Sequence, residues 1–339
     1  MFWGRSKTLV GLDVGTSAVK AVEISLSGSE PVVTGFARVE LGQGLGPAEA
    51  IAECARLGRF RARRAAAGLS GPSTVVRHLA MQAMTDDELK AAVRFDSDKH
   101  LPFDVDECRL DCQSLGAADE EGKQRLVLLA AARNALVDER VAQIRALGLA
   151  PEAIDLDLLA LSNAFELCAP LDAEGEGGAV ALVDVGCTRT AIHVLSGLRS
   201  RFSREIPLGG ADMTLAVGRR FELDGPAAEA RKRDEQHEAE VREAALPVVE
   251  DLANELALSL EYVEHHEGLE VREVLLSGGG ALCPGVRELL EELVRKPVRW
   301  WSPLEGLRVD EARVDVQELG RWTPTLAVAV GLASRVRAA

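Results

Sequence analysis

Leu12-Asp13-Val14-Gly15-Thr16-Ser17-Ala18-Val19-Lys20-Ala21-Val22-Glu23-Ile24 reads as a β-hairpin whose tip carries Asp-x-Gly and two hydroxyls. Leu182-Val183-Asp184-Val185-Gly186-Cys187-Thr188-Arg189-Thr190-Ala191-Ile192-His193-Val194 says nearly the same thing in the other half of the chain. Valine and isoleucine flank each turn at alternating positions, the strand pattern, while Gly15 and Gly186 allow tight bends and close backbone approach. Exposed amides at such tips, with the hydroxyls of Thr16, Ser17 and Thr190, suit phosphate oxygens. Asp13 and Asp184 would face a divalent cation that offsets their repulsion toward the phosphates, and Lys20 adds a positive charge for an anion. Either hairpin alone is equally an ordinary Asp-Gly turn; recurrence in both halves is what makes it a signature.

With 339 residues the chain favours two domains, and a hydrophobic content of 47% supplies real cores. Lysine and arginine total 39 against 54 acidic residues, a formal charge of −15. That balance argues against a nucleic-acid surface and against direct adsorption to anionic lipid, and favours a basic partner peptide. The 6 cysteines are scattered, and Cys108 and Cys112 have neither a second pair nor a nearby His cluster, so reduced thiols and a cytosolic setting are expected. Met1 to Lys7 has a positive end without an apolar core behind it, so no signal peptide is read, and Phe2 and Trp3 are expected in a frayed tail. The neutral run from Thr323 to Ser334 is too short to span a bilayer.

The first half opens with strands near 8–16, 18–26 and 31–39, then a helix from Ala48. Strands near 65–69 and 75–81 follow, and Thr85-Asp86-Asp87-Glu88 supplies a capping box for a helix running toward His100, ended by Leu101-Pro102-Phe103. Strands near 106–114 and 125–132 and a helix over 134–147 complete a small α/β unit inserted in the first domain. The acidic, Gly-rich stretch 172–178 reads as a linker, after which the β-β-β start recurs over 179–185, 190–195 and 200–206, followed by a helix over 210–221. Glu229 through Glu243 is a charged run leading into a long helix that ends near His266; such a run is read first as a solvated face.

Val274-Leu275-Leu276-Ser277-Gly278-Gly279-Gly280-Ala281 is a strand entering a glycine loop, with Pro284 expected in the first turn of the next helix. It is not a P-loop, because no Lys-Ser/Thr follows, and Cys283 stands where a dinucleotide fingerprint has its third glycine. Together the three elements resemble the actin, hexokinase and heat-shock ATPase superfamily. The resemblance runs from Val10 to Ala333. It implies an α/β actin-like ATPase fold in which two ribonuclease-H-like domains clamp ATP and Mg2+, with residues 1–172 as the first domain, its inserted subdomain at about 70–152, and 179–339 as the second. By it, Asp13, Gly15, Thr16, Ser17 and Lys20 form the first phosphate loop, and Asp184, Gly186, Cys187, Thr188 and Thr190 the second. Gly278, Gly279 and Gly280 form the adenosine loop, and Asp13 and Asp184 hold the metal through water. Residues 153–164 and 324–331 would be the connecting helices.

Ala91-Ala92-Val93-Arg94-Phe95 and His100-Leu101-Pro102-Phe103-Asp104-Val105-Asp106-Glu107 narrow the choice, resembling the helix-then-Pro-Phe segment of the PilM family of type IV pilus assembly. The cytoplasmic region of GspL and the division protein FtsA are similar, though GspL carries a membrane segment that is not read in this chain. The PilM resemblance implies a cytoplasmic, ATP-binding adaptor, peripheral to the inner membrane. An apolar groove between the first domain's core and its inserted subdomain would receive the N-terminal cytoplasmic tail of a PilN-like membrane protein. Ala228-Glu229-Ala230-Arg231-Lys232-Arg233 resembles the helix whose Glu and Lys touch ribose and adenine, which points to Glu229 and Lys232. Asp234-Glu235-Gln236 departs from that family's aromatic and glycine, which predicts weak base contacts.

Two other readings stay open. A superfamily phosphotransferase of the sugar-kinase kind needs a carboxylate to position a nucleophile. Asp155 is the candidate, with Asp157 beside it, although both also suit the end of a strand and the cap of a helix. An actin-like filament or division protein needs self-association, which the negative charge opposes beyond a weak level. ATP turnover is expected to be slow at most.

Overall fold

The structure is a computed structural model that describes residues 8–27, 30–42, 44–118, 121–168 and 178–337. The linker stretch 172–177, Phe2 and Trp3 lie outside the described residues. Strands β1 (Thr8–Val14), β2 (Ala18–Ser27) and β3 (Glu30–Glu40) form an antiparallel meander, with Asp13 paired to Lys20 across the first turn. Helix α1 (Pro47–Gly58), begun by a proline whose missing N–H costs nothing in a first turn, returns the chain to β4 (Arg64–Leu69), parallel to β1. Strand β5 (Thr74–Gln82), helix α2 (Asp86–Asp96), and strands β6 (Cys108–Ala117) and β7 (Gln124–Arg133) then make a separate sheet of 3 strands in the order β5-β7-β6.

Helix α3 (Asn134–Ala146), strand β8 (Ala150–Leu156) and helix α4 (Asp157–Cys168) return to the first sheet, β8 running parallel to β4. Strands β9 (Ala179–Val185), β10 (Thr190–Ser196) and β11 (Arg199–Ile206) repeat the meander, followed by helices α5 (Gly210–Phe221), α6 (Gly225–Lys232) and α7 (Glu238–Glu267). Strand β12 (Val271–Ser277), helix α8 (Val286–Val294) and strand β13 (Val298–Trp300) complete a second sheet of 5 strands, β11-β10-β9-β12-β13. The chain then crosses back. Strand β14 (Arg308–Val309) joins β3 to close a sheet of 6 strands, β14-β3-β2-β1-β4-β8, and helices α9 (Val316–Trp322) and α10 (Ala327–Ala333) follow.

The repeat read in the sequence is thus a repeat of sheet topology: β2-β1-β4-β8 and β10-β9-β12-β13 have the same order and sense. Several expectations shift. Helix α2 stops at Asp96 and tightens into a 3-10 turn over Ser97–Lys99 rather than running to His100, although the Thr85/Glu88 capping box is present. Pro284 precedes α8 instead of lying in its first turn, because Gly285, at φ +79°, takes the N-cap. The stretch 153–164 divides between β8 and α4, and 324–331 between a 3-10 turn at Thr323–Thr325 and α10. Although 70–152 counts α3 with the insertion, Ile144 on α3 is fully buried in the first sheet's core beside Val10, Leu12 and Ala65.

The inserted subdomain has its own core of Val75, Leu89, Val93, Leu101, Phe103, Val127 and Leu129. Phe103 is therefore a core aromatic, while Pro102 stays exposed. A different core joins the two large sheets: Leu9, Ile24 and Ala66 of the first and Leu182, Leu195 and Leu275 of the second pack on α4 and α10. There α4 and α10 approach so closely that a methyl group on Gly331 would collide with the carbonyl oxygen of Ala160, and one on Gly11 with that of Ala329. Among the described residues no helix is long and apolar enough to cross a membrane.

Backbone is the obstacle at Gly331, so relief requires the helices to separate. Gly331→Val is expected to lower the unfolding free energy by about 3 kcal/mol or more in urea titration. A loss under about 1 kcal/mol would show that the crossing yields.

Candidate functional site

The two hairpin tips face each other. Gly15 and Gly186 each close their turn with a backbone bond, the Gly15 amide to the carbonyl of Ala18 at 3.1 Å and the Gly186 amide to that of Arg189 at 2.8 Å. Across the space between them the Thr16 and Thr188 hydroxyls lie 3.4 Å apart. Thr16, Ser17 and Thr188 are exposed, and Cys187 is half-buried with its carbonyl taking the amide of Ala211.

Below the tips the charges are concentrated and shielded from water. Asp13 is 4% exposed and pairs with Lys20 at 2.6 Å, and Lys20 also donates to the carbonyl of Thr325 at 3.1 Å. Burial works against the Lys20 ammonium, but Asp13 and then Asp184 outweigh it and hold its pKa above the ordinary value. Burial lifts the carboxyl of Asp184 despite Lys20 and a 2.7 Å hydrogen bond from Ser277. Asp157, the first residue of α4, is pushed up to about 7 by burial and then by the charge of Asp13. Its Oδ1 is buried without a hydrogen-bond partner among the described residues. Asp13 touches Lys20 while Asp184 and Asp157 act on it through their charge alone, and among the described residues no three acidic, histidine or cysteine side chains come together as a metal cluster.

Asp155 has a different fate from its neighbour. Its Oδ2 takes hydrogen bonds from Arg335 Nε at 2.7 Å and Asn163 at 3.1 Å, with Arg335 Nη2 at 2.5 Å, while its Oδ1 takes the amide of Leu156. Expected as a nucleophile-positioning carboxylate, it is occupied in tying α4 to the C-terminal segment. Thr190, expected among the phosphate ligands, is fully buried, and its hydroxyl donates to the carbonyl of Leu208 at 2.8 Å.

The glycine loop packs on the second tip. Gly278 has φ +96°, where only glycine is unstrained, and donates to the carbonyl of Pro324, while the Gly280 amide donates to that of Val185. A methyl at Gly280 would lie 2.6 Å from the Gly186 carbonyl oxygen, yet one at Gly279 would meet nothing within 4 Å. The loop therefore touches the hairpin through Gly280 and leaves an open, side-chain-free surface at Gly279, where a flat ring could lie. Gly209 and Gly210 belong to the same junction, the amide of Gly210 reaching the Gly186 carbonyl at 2.9 Å. Their signal in the sequence is a Gly-Gly pair between a strand and a helix.

Glu229 and Lys232 lie together on α6, paired at 2.7 Å, but both are engaged by protein. Lys232 donates to the carbonyl of Gly210 and to Thr214 as well as to Glu229, which uses up its three N–H groups. Glu229 also accepts from Thr214 and Arg233. In this structure the pair fixes α5 against α6. Arg233 continues outward to Glu40 on β3 at 3.0 Å, and Arg38 stacks 3.7 Å over Trp322, so that a polar bridge not foreseen in the sequence spans the two halves.

Beside the inserted subdomain lies a cavity of about 290 Å³ lined by Gly71, Val75, Pro102, Leu158, Arg189 and Glu205 among others. Arg77 and Arg204 also contribute, so the cavity lies between the inserted subdomain and the second half of the chain, not only against the first domain's core where the groove is expected. Glu205 accepts the amide of Gly71 at 3.1 Å, which joins the insertion's first turn to β11.

Comparison with known proteins follows the same outline. The family model described as type IV pilus assembly protein PilM matches residues 11–337. The solved structure of a PilM-PilN type IV pilus biogenesis complex superposes with a TM-score of 0.85 at 30% identity, over 97% of this chain and 98% of that one. Ethanolamine utilization protein EutJ from Carboxydothermus hydrogenoformans superposes with a TM-score of 0.55 at 17% identity, over 96% and 89% of the two chains, a likeness of fold. EutJ of Escherichia coli (strain K12) is 31% identical over 113 residues, and the match covers 33% of this chain and 37% of that relative's length. These likenesses establish the actin-like ATPase fold, and the match over 11–337 shows that the chain belongs to the PilM family of type IV pilus assembly proteins.

Proposed function

We propose that the protein is a nucleotide-dependent adaptor of type IV pilus assembly, holding magnesium-bound ATP between its hairpin tips and taking the N-terminal tail of a PilN-like membrane protein beside its inserted subdomain. The observation that carries the nucleotide half is the meeting of the tips, Thr16 against Thr188, above Asp13, Lys20 and Asp184. With the Gly15 and Gly186 amides closing the turns, amides of Thr16, Ser17, Cys187 and Thr188 would take phosphate oxygens, Lys20 would supply positive charge, and Asp13 and Asp184 would hold Mg2+ through water. Gly279 would lie under the adenosine, flanked by Gly278 and Gly280. Bound nucleotide supplies a negative chain that bridges both tips and so favours a closed arrangement.

Engagement of Asp155 by Arg335 and Asn163 supports slow turnover over phosphotransferase chemistry. The partner half rests on similarity to the PilM-PilN complex over 97% of this chain, together with the cavity beside Pro102. A net charge of −15 favours a tail with basic residues. The protein would then act in the cytoplasm, at the inner membrane through that partner.

Thermal melting tests the nucleotide site. At 100 times the dissociation constant, ATP with Mg2+ is expected to add about 2.7 kcal/mol of stability, and omission of Mg2+ or Asp13→Ala to remove most of it. An unchanged shift in Asp13→Ala would refute the assignment. Titration of a PilN-like tail peptide tests the partner: saturable binding whose affinity changes with nucleotide is expected, and absence of binding with and without ATP would exclude the adaptor reading.

A further inference from the structure

Arg189 is the last residue of the second hairpin tip, and its backbone and side chain serve different places. Its carbonyl takes the amide of Gly186 at 2.8 Å and so closes the turn that carries Cys187 and Thr188. Its half-buried side chain lines the cavity beside Pro102. There a methyl group on Gly71, at the start of the inserted subdomain, would lie 3.4 Å from Arg189 Nε. Among the described residues no hydrogen bond or ion pair holds the Arg189 guanidinium.

The walls of that cavity come from two parts of the molecule. Edge strand β5 of the inserted sheet lies against edge strand β11 of the second sheet. Two polar contacts fasten them, the Gly71 amide to Glu205 at 3.1 Å and His78 Nε2 with the Ser200 hydroxyl at 2.7 Å. The other residues beside Arg189 are fixed. Arg204 on β11 is held by Glu255 and Ser259 of α7, and Thr190 is fully buried with its hydroxyl bonded to the Leu208 carbonyl. Arg189 is therefore the last residue of the turn that can follow a phosphate taken by the amides of Cys187 and Thr188. A cationic side chain that shifts within a cavity of about 290 Å³ alters both its room and its charge, and so gives a bound peptide different affinity in the two positions.

We propose that Arg189 is the residue through which nucleotide at the hairpin tips changes the affinity of the cavity for the partner's tail. The assignment rests on the function proposed above and names the connection between its two halves. Thr188 and Arg189 are neighbours in the chain, so the signal passes through one turn of the backbone and needs no rearrangement of either core.

Calorimetric titration of a synthetic peptide of the PilN-like tail, with and without saturating Mg-ATP, tests this in the wild type, Arg189→Ala, Arg189→Lys and Arg204→Ala, with folding followed by circular dichroism. In the wild type Mg-ATP is expected to change the peptide's affinity about fivefold or more, and the peptide to change that of Mg-ATP by the same factor, because coupling is reciprocal. Arg189→Ala is expected to reduce the factor to less than about twofold while Mg-ATP alone still binds, with Arg189→Lys in between. Arg204→Ala alters the same cavity away from the tip, and is expected to change the peptide's affinity equally with and without Mg-ATP. A wild-type factor retained in Arg189→Ala, or lost as fully in Arg204→Ala, overturns the role of Arg189 and leaves both sites standing. A wild type that binds both ligands without coupling overturns the role and the nucleotide dependence, and one that fails to bind the peptide or Mg-ATP overturns the proposed function as well. Should Arg189→Ala not fold, the same factor is read in Arg189→Gln.

Discussion

The crossing of α4 and α10, with Gly331 against the carbonyl of Ala160, sets the spacing on which the two sheets depend. Both helices present mostly small or slender side chains, Ala160, Ala164, Ala327 and Ala329 among them, so backbones meet with little side chain between. Each helix then serves both sheets through one core. Leu182 and Leu275 of the second sheet lie in the same apolar cluster as Leu9 and Ile24 of the first. The two sheets thus share one central layer rather than each having a separate cover there.

The charges at the tips exist at the expense of that apolar packing. Asp13 and Glu23 both emerge from the first hairpin, and both are buried, but they are completed differently. Glu23 accepts from Thr34, Arg313 and the amides of Arg61 and Ala62, and so is fully occupied in holding the returning C-terminal segment to β2. Asp13 has Lys20, while Asp157 keeps an oxygen and Arg140 two nitrogens unpaired. Glu23 is thus closed upon by its partners, whereas near the tips buried polar atoms stay unpaired.

Much of the fold was legible because its signals are local. The alternation from Leu12 to Ile24 and the Thr85/Glu88 cap depend on residues within one element, and they hold. What was not legible depends on partners far along the chain. Thr190 looks like any hydroxyl at a tip until the Leu208 carbonyl, on the way into α5, claims it. Asp155 and Asp157 differ by two positions, which in a continuous strand would give them one face; the change from β8 to α4 at Asp157 separates them. The inward face of α3 is set by Leu136 and Ile144, which pack on different sheet regions far along the chain. Strand β14 consists of 2 residues, too few to carry a period.

The return of the chain to its first sheet has a consequence for synthesis. Until β14 and α10 have been made, β3 has a bare edge and the face of β1 bearing Leu9 and Gly11 lacks its cover, whereas most of the second sheet, up to β13, is already complete. The half that leaves the ribosome first is therefore finished last. During translation the nascent first lobe holds an open edge strand and an uncovered apolar face, the condition under which chaperone binding competes with aggregation.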